Sequence, residues 1–258
     1  MRIAQLSDLH LTADAQPLYG VVDTEGACRA ALSRARSMEP VPDLLLLTGD
    51  LANDGAAPAY DRLKAALADL QLPYALLPGN HDSRPELRAA FADHAWAGEP
   101  LCCLRQDWAE GSLLLLDTTV PGKEWGEIGD AQLNWLQAAC PADRPVLLCL
   151  HHPPFDIGVP GMDAIRCRNE DRLLAWLGSR PNVEALLCGH VHRLVATTFA
   201  GRPALTAPST AHQIALKPGP LAYTLEAGGF LWHDWQPGRR LLTHYVPAQP
   251  APVHVYED

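Results

Sequence analysis

No apolar run in the 258 residues approaches the ~20 needed to span a bilayer. No terminal stretch joins a basic flank, an apolar run and a small-residue cleavage site. A soluble, cytoplasmic protein with no membrane partner is therefore expected. The seven cysteines (Cys28, Cys102, Cys103, Cys140, Cys149, Cys167, Cys188) lack CxxC spacing, are odd in number and mostly sit among apolar neighbours. They read as reduced core residues rather than a disulfide framework. Positive charge is also short: 20 Lys and Arg against 30 Asp and Glu leave a formal charge of −10. Gripping extended nucleic acid needs Lys and Arg to neutralise phosphates, so that partner class is set aside. A small anionic substrate stays open, because a bound metal can supply positive charge locally. Internal repeats, low-complexity blocks and clear linkers are missing as well.

What is present is a 48% hydrophobic chain, enough for a sizeable core and in keeping with a single domain over 1–258. Apolar runs at 2–7, 43–48 and 73–78 alternate with helical patterns at 24–38 and 57–70. This is the signature of a parallel sheet covered by helices. The alternation continues with strands near 112–117, 145–150 and 183–188 and helices near 130–139 and 169–179. From about residue 194 short strand-like runs separated by Gly and Pro predict an antiparallel sheet. Its last part, 229–258, reads as a hairpin and Pro-rich tail, either core or an oligomer contact.

The polar residues fall in a pattern on this map. Asp8 and His10 follow the first strand, Asp50 the second, Asn80 and His81 the third; His151 and His152 follow Leu150, and His190 and His192 follow Cys188. Strand carboxyl ends are where open α/β sheets build their sites. Asp8/His10 and His190/His192 are i, i+2 pairs, which in extended backbone project to one side. Gly49, Gly79 and Gly189 stand directly before Asp50, Asn80 and His190, where a tight turn and close backbone approach are needed. Imidazoles, carboxylates and one amide suit divalent transition metals. Each cluster alone has a plainer reading as a turn or loop; the seven candidates Asp8, His10, Asp50, Asn80, His151, His190 and His192 together suit two ions sharing a carboxylate. Ser83 with Glu86 predicts a capping box and a helix just past the site. Asp82 is left between two roles, partner of a nearby histidine or part of the turn.

The ordered blocks SDLHL (7–11), TGDLANDG (48–55), PGNHD (78–82), LHHPP (150–154) and CGHVH (188–192) resemble the calcineurin-like metallophosphoesterases. More narrowly the chain resembles the class III cyclic nucleotide phosphodiesterases and their glycerophosphodiesterase relatives, through LYG (18–20), HHPPFDIGVPGMD (151–163), NEDRLLAWL (169–177) and PSTAHQ (208–213). The resemblance implies a four-layer α/β/β/α sandwich. It implies one ion on Asp8, His10, Asp50 and His192, and a second on Asp50, Asn80, His151 and His190, with Asp50 as bridge. His152 would be supporting, His81 the active-site histidine that binds substrate and not metal, and Asn80 and His212 would lie near the bound phosphate. Asp54 stands where that branch can carry a cysteine tethering the C-terminal segment, so such a tether is not expected. The implied reaction is hydrolysis of a small phosphodiester, a cyclic nucleotide or glycerophosphodiester, by hydroxide held on two ions drawn from Mn, Fe, Zn and Co. Monoester or pyrophosphate cleavage and a non-catalytic scaffold are the alternatives. A homodimer or higher homo-oligomer is the assembly the family habit favours.

Overall fold

The computed structural model describes residues 1–256. In chain order its elements are β1 (Arg2–Leu6), α1 (Thr24–Arg36), β2 (Leu44–Thr48), α2 (Ala57–Leu70), β3 (Tyr74–Leu77), α3 (Arg84–Ala90), β4 (Leu104–Asp107), β5 (Ser112–Leu116), α4 (Asp130–Ala139), β6 (Val146–Leu150), α5 (Pro160–Asp163), α6 (Glu170–Gly178) and β7 (Val183–Cys188). Then follow β8 (Val195–Phe199), β9 (Arg202–Thr206), β10 (Gln213–Ile214), β11 (Tyr223–Thr224), β12 (Gly229–Gln236) and β13 (Arg240–Pro247). Two large sheets result, with strand orders β13-β12-β1-β2-β3 and β4-β5-β6-β7-β9-β8.

The central strands β2, β5 and β6 are buried along their whole length, which is why their sequences are unbroken Leu-rich runs and not alternating ones. Their two faces feed two different cores. Ile3, Leu44, Leu46 and Leu77 of the first sheet pack on Leu113, Leu115, Leu147 and Leu187 of the second. The opposite faces pack outward, Leu45 and Leu47 onto Leu32, Leu63 and Leu67 of α1 and α2, and Leu114 and Leu148 onto Leu136, Leu173 and Leu177 of α4 and α6. Helices therefore cover both outer faces of a pair of stacked sheets, the expected four layers. All seven cysteines are free, six of them buried.

In the C-terminal quarter the expected antiparallel pairing forms, β8 with β9, β10 with β11 and β12 with β13, but not within one sheet. The strands are instead shared among three. The β8–β9 hairpin extends the second sheet with β9 parallel to β7, β10 and β11 pair only with each other, and β12–β13 joins the first sheet antiparallel to β1. Both large sheets had an open edge, and pairing these strands there satisfies backbone groups that would otherwise stay unbonded. The 229–246 stretch is thus a core hairpin, with Phe230, Leu231 and Trp235 fully buried, while the edge strand β13 exposes Leu242 and Tyr245. Residues 251–256 are exposed and have no regular structure.

One polar chain crosses the apolar layer between the sheets. His233 donates from Nε2 to Gln5 Oε1 (2.9 Å), and Gln5 Nε2 donates to Thr48 Oγ1 (3.0 Å) and to the Cys188 carbonyl of the other sheet (2.9 Å). Burial pushes the fully enclosed His233 down to about 3, so it folds as the neutral ring. An unfolded histidine titrates near 6.5 and binds a proton that the folded one refuses, so folded-state stability is full above about 6.5 and falls as pH drops towards 3. Between pH 7.5 and 5, His233→Gln is expected to lose about 2 kcal/mol less stability in urea unfolding than the parent. Equal losses in the two proteins would contradict this account of His233.

Candidate metal centre

The strand ends β1, β2, β3, β6 and β7 meet at one edge of the sandwich, and their last residues turn into a common cavity of about 320 Å³. His10, Asp50, Asn80, His81, His190, His192 and His212 line it, with Tyr19, Tyr223 and several aliphatic side chains on one wall. Asp8 and His151 lie beneath the floor, fully buried.

The turns reach this convergence by a route the spacing did not foretell. Asp8, His10, Asp50, His190 and His192 all have positive φ, between 49° and 73°. The two i, i+2 pairs therefore converge through left-handed turns and not through extended strands. Left-handed backbone is strained for residues with a Cβ, and such strain persists only where the surroundings over-determine it. Here backbone bonds hold it: Asp8 N–H donates to the Gly49 carbonyl (3.0 Å) and His10 N–H to the Asp50 carbonyl (2.9 Å). The glycines behave as read, allowing close approach. A Cβ on Gly79 would stand 2.2 Å from Asp50 Oδ1, and one on Gly49, itself at φ +95°, would stand 2.4 Å from His151 Nδ1.

Hydrogen bonds to carbonyls, which can only accept, identify the protonated nitrogen of each ring and hence the free lone pair. His151 Nδ1 donates to the Thr48 carbonyl (2.7 Å), leaving Nε2 facing Asp50 Oδ2 at 3.4 Å with no hydrogen-bond partner. His192 Nδ1 donates to the His212 carbonyl (3.2 Å), leaving Nε2 3.4 Å from Asp8 Oδ1 and 3.0 Å from His10 Nε2. His190 Nε2 donates to the Ile165 carbonyl (3.1 Å), which frees Nδ1. Asn80 Oδ1 is a buried oxygen with no partner. His152 differs, since Nδ1 meets Thr118 Oγ1 (2.8 Å) and Nε2 donates to the Glu124 carbonyl (3.2 Å), so both its nitrogens are engaged.

The electrostatics point the same way. Burial pushes His10 and His190 down to about 3, so both are neutral rings with lone pairs to offer. Burial, with Asp50 adding to it, pushes Asp8 up to about 7 against the pull of His151. Against burial, Asp50 and Asp8 push His151 up to about 9, so the enclosed carboxylates already draw positive charge, and a pair of imidazole nitrogens aimed at one point with a carboxylate beside them is a cation's donor set. Two groupings bring ligand atoms together: Asp8, His10, Asp50 and His192, and a cluster of His151, His152 and His190 in which His152 has no free nitrogen and His151 faces Asp50.

Several supporting residues were not singled out by the sequence reading. Asp117, at the end of β5, accepts from Arg84 through Nε (2.6 Å) and Nη2 (3.1 Å), fixing the helix after the Asn80 loop; its following Thr118 holds His152. The signal was available, since DTT after an apolar run repeats the polar strand-end pattern. Ser209 Oγ donates to the Asp8 carbonyl (2.7 Å) and ties the His212 loop to the first strand end. Asp82 resolves as part of the turn and partners no histidine. It accepts from the backbone N–H of Leu51 (3.1 Å), Ala52 (3.0 Å) and Gly79 (2.8 Å) and from Tyr60 Oη (2.9 Å), although burial and Asp50 push its carboxyl up to about 6. Asp82→Ala would orphan these donors and is expected to destabilise the fold by about 3 kcal/mol or more, read by urea unfolding. The predicted helix after the site exists as α3, but the capping box does not form: Ser83 makes no side-chain cap bond, Pro85 in the first turn has no N–H to offer it, and Ser83 N–H is already spent on Tyr60 Oη (2.9 Å).

The sequence profile described as calcineurin-like phosphoesterase matches residues 1–194. A probable glycerophosphodiester phosphodiesterase of Arcobacter nitrofigilis is 31% identical over 100% of this chain and 98% of its own. A 3',5'-cyclic adenosine monophosphate phosphodiesterase of Escherichia coli K12 is 35% identical over 88% of this chain and 81% of its own. Among solved structures, a dimetal phosphatase from Danio rerio superposes with a TM-score of 0.71 at 16% identity, covering 96% of both chains, a likeness of fold. With the profile spanning three-quarters of the chain and the five motif blocks gathered at one sheet edge, this protein belongs to the calcineurin-like phosphoesterase family.

Proposed function

We propose that the chain hydrolyses small phosphodiesters at this centre, using two metal ions. Asp8, His10, Asp50 and His192 would hold one, and Asp50, Asn80, His151 and His190 the other. The reading is carried by one observation: the Asp50 carboxylate lies between two histidine sets, Oδ2 being 3.6 Å from His10 Nε2 and 3.4 Å from His151 Nε2. When bound, two ions supply a water acidified towards neutral pKa and positive charge for the phosphoryl oxygens. Mixed imidazole, carboxylate and amide donors accept Mn, Fe, Zn or Co.

The side chains divide the remaining work. Asn80 contributes a neutral oxygen, so the second site keeps more net positive charge than a carboxylate would leave it. His81 is no ligand in this reading: its N–H donates to Asp50 Oδ1 (2.9 Å) and its ring Nδ1 donates to the Asn53 carbonyl (2.7 Å). When the ring is protonated, its Nε2–H in the cavity is placed to give a proton to the departing alcohol or to bind a phosphoryl oxygen, the ring being left neutral with its proton on Nδ1. His212, with a buried and unpartnered Nδ1 and its ring 4.5 Å from that of His192, is a further phosphate contact.

The diester preference follows the relatives' activities, and the acidic chain suits small esters over extended nucleic acid. No helix among the described residues is long and apolar enough to cross a membrane. The exposed Leu242 and Tyr245 on the edge strand β13 favour a homodimer or higher homo-oligomer, which light scattering at micromolar concentration tests. The catalytic reading is tested by loading the protein with Mn²⁺ and comparing bis(p-nitrophenyl) phosphate with p-nitrophenyl phosphate. A higher kcat/KM on the diester is expected. Preference for the monoester, or no turnover of either, would overturn it.

A further inference from the structure

One wall of the cavity carries chemistry that phosphate hydrolysis does not need. Tyr19 and Tyr223, from segments some two hundred residues apart, stack with ring centroids 5.2 Å apart and planes at 29°. Both meet the His212 ring edge-on, at 6.2 and 5.4 Å, and His212 in turn lies 5.6 Å from the His10 ring. An aromatic ladder thus runs from the candidate ligands to solvent.

The ladder's outer end is open. Tyr19 is 63% exposed and Tyr223 39%, so neither ring is held there by burial. Tyr19 also adopts φ +54°, a left-handed conformation that a bulky residue avoids and that its neighbour Gly20, at φ +73°, takes freely. The tight loop is clamped on both sides, Leu18 N–H donating to the Val22 carbonyl and Val22 N–H to the Leu18 carbonyl, each at 2.9 Å. A strained backbone that presents a large ring to solvent at the mouth of a catalytic cavity is a device for meeting a ligand. Ile214, paired with Tyr223 across the β10–β11 ladder, and Leu221 line the same cavity, to which Glu124 also contributes.

We infer that Tyr19 and Tyr223 form a stacking subsite for the nucleobase of a nucleoside-bearing phosphodiester, and that they set the preference for such esters over base-free glycerophosphodiesters. The inference rests on the phosphodiesterase reading above. A flat, uncharged π-face takes any base by stacking, while a glycerol or ethanolamine arm has no ring to offer it. Base–aromatic stacking lost to alanine corresponds to roughly 5- to 150-fold in affinity.

Equilibrium dialysis of the Mn²⁺-loaded protein with adenosine 5'-monophosphate and with glycerol 3-phosphate compares a nucleoside with a base-free arm on the same phosphate, and the tyrosine variants then isolate the stacking. The wild type is expected to hold the nucleotide more tightly. Tyr19→Ala combined with Tyr223→Ala should weaken the nucleotide at least fivefold and glycerol 3-phosphate less than twofold, and Tyr19→Phe should behave as wild type. In turnover the double variant should raise KM for 3',5'-cyclic AMP with kcat held, and leave glycerophosphoethanolamine within twofold. Equal loss on both ligands, or no loss on the nucleotide, overturns the subsite. Because the dialysis needs no turnover, a protein that discriminates the nucleotide through these tyrosines yet cleaves no diester would sink the catalytic reading alone.

Discussion

Asp50→Ala is expected to empty at least one of the two metal sites and to abolish diester turnover. Asp50 is 2% exposed, stands within 3.6 Å of two candidate ligand histidines and accepts the His81 N–H, so its loss removes the carboxylate between the two sets. Removing a group that merely orients a metal ligand already weakens binding roughly 10–100-fold, and a shared first ligand must exceed that. Metal content measured on the purified variant should fall from about two equivalents to one or none. The structural consequences should stay local, because Asp50 sits in a turn and its strand β2 is held by parallel pairing to β1 and β3. A variant that keeps both equivalents would show that Asp50 bridges nothing.

His81→Ala should behave in the opposite way, keeping its metals while losing catalysis. The side chain is exposed at the cavity, and the two bonds recorded for the residue run from its own N–H and from Nδ1. Truncation leaves the backbone bond to Asp50 in place, so the ligand set should survive. A general acid contributes on the order of 10² to 10⁴ to rate. The loss should therefore grow with the basicity of the departing alcohol, large for an alkyl ester and small for a p-nitrophenyl one, whose leaving group needs little protonation. Equal losses on both would assign His81 to phosphate binding; no loss on the alkyl ester would remove it from the mechanism.

The motifs TGDLANDG and PGNHD named residues that the structure brings to one cavity, Asp50, Asn80 and His81 among them. Polar residues after buried Leu-rich strands have few plain explanations, and the order of the five blocks carried the rest. The strand and helix runs up to residue 188 were legible for a related reason: an unbroken apolar run such as LLLLT must be covered on both faces, which leaves a layered sandwich as the solution. The short edge strand β4, half-exposed and charged at Arg105 and Asp107, lacked any such run and escaped notice. The sharing of β8–β13 among three sheets was also hidden, because strand patterning records which face is apolar and not which edge will accept the strand. The left-handed turns at Asp8, His10, His190 and His192 were invisible for the same kind of reason. None carries glycine at the strained position, and only the tertiary bonds around them make that backbone affordable. Ser83 shows the converse, a local capping signal overruled by a tertiary bond to Tyr60.

Two ions gathered by five strand ends are the centre of the proposed chemistry. Its most direct test is titration of metal-stripped protein with Mn²⁺ while bound metal and bis(p-nitrophenyl) phosphate hydrolysis are followed together. Binding of about two equivalents per chain is predicted, with activity completed only as the second is taken up. Saturation of both signals at a single equivalent, or hydrolysis unaffected by stripping, would contradict it.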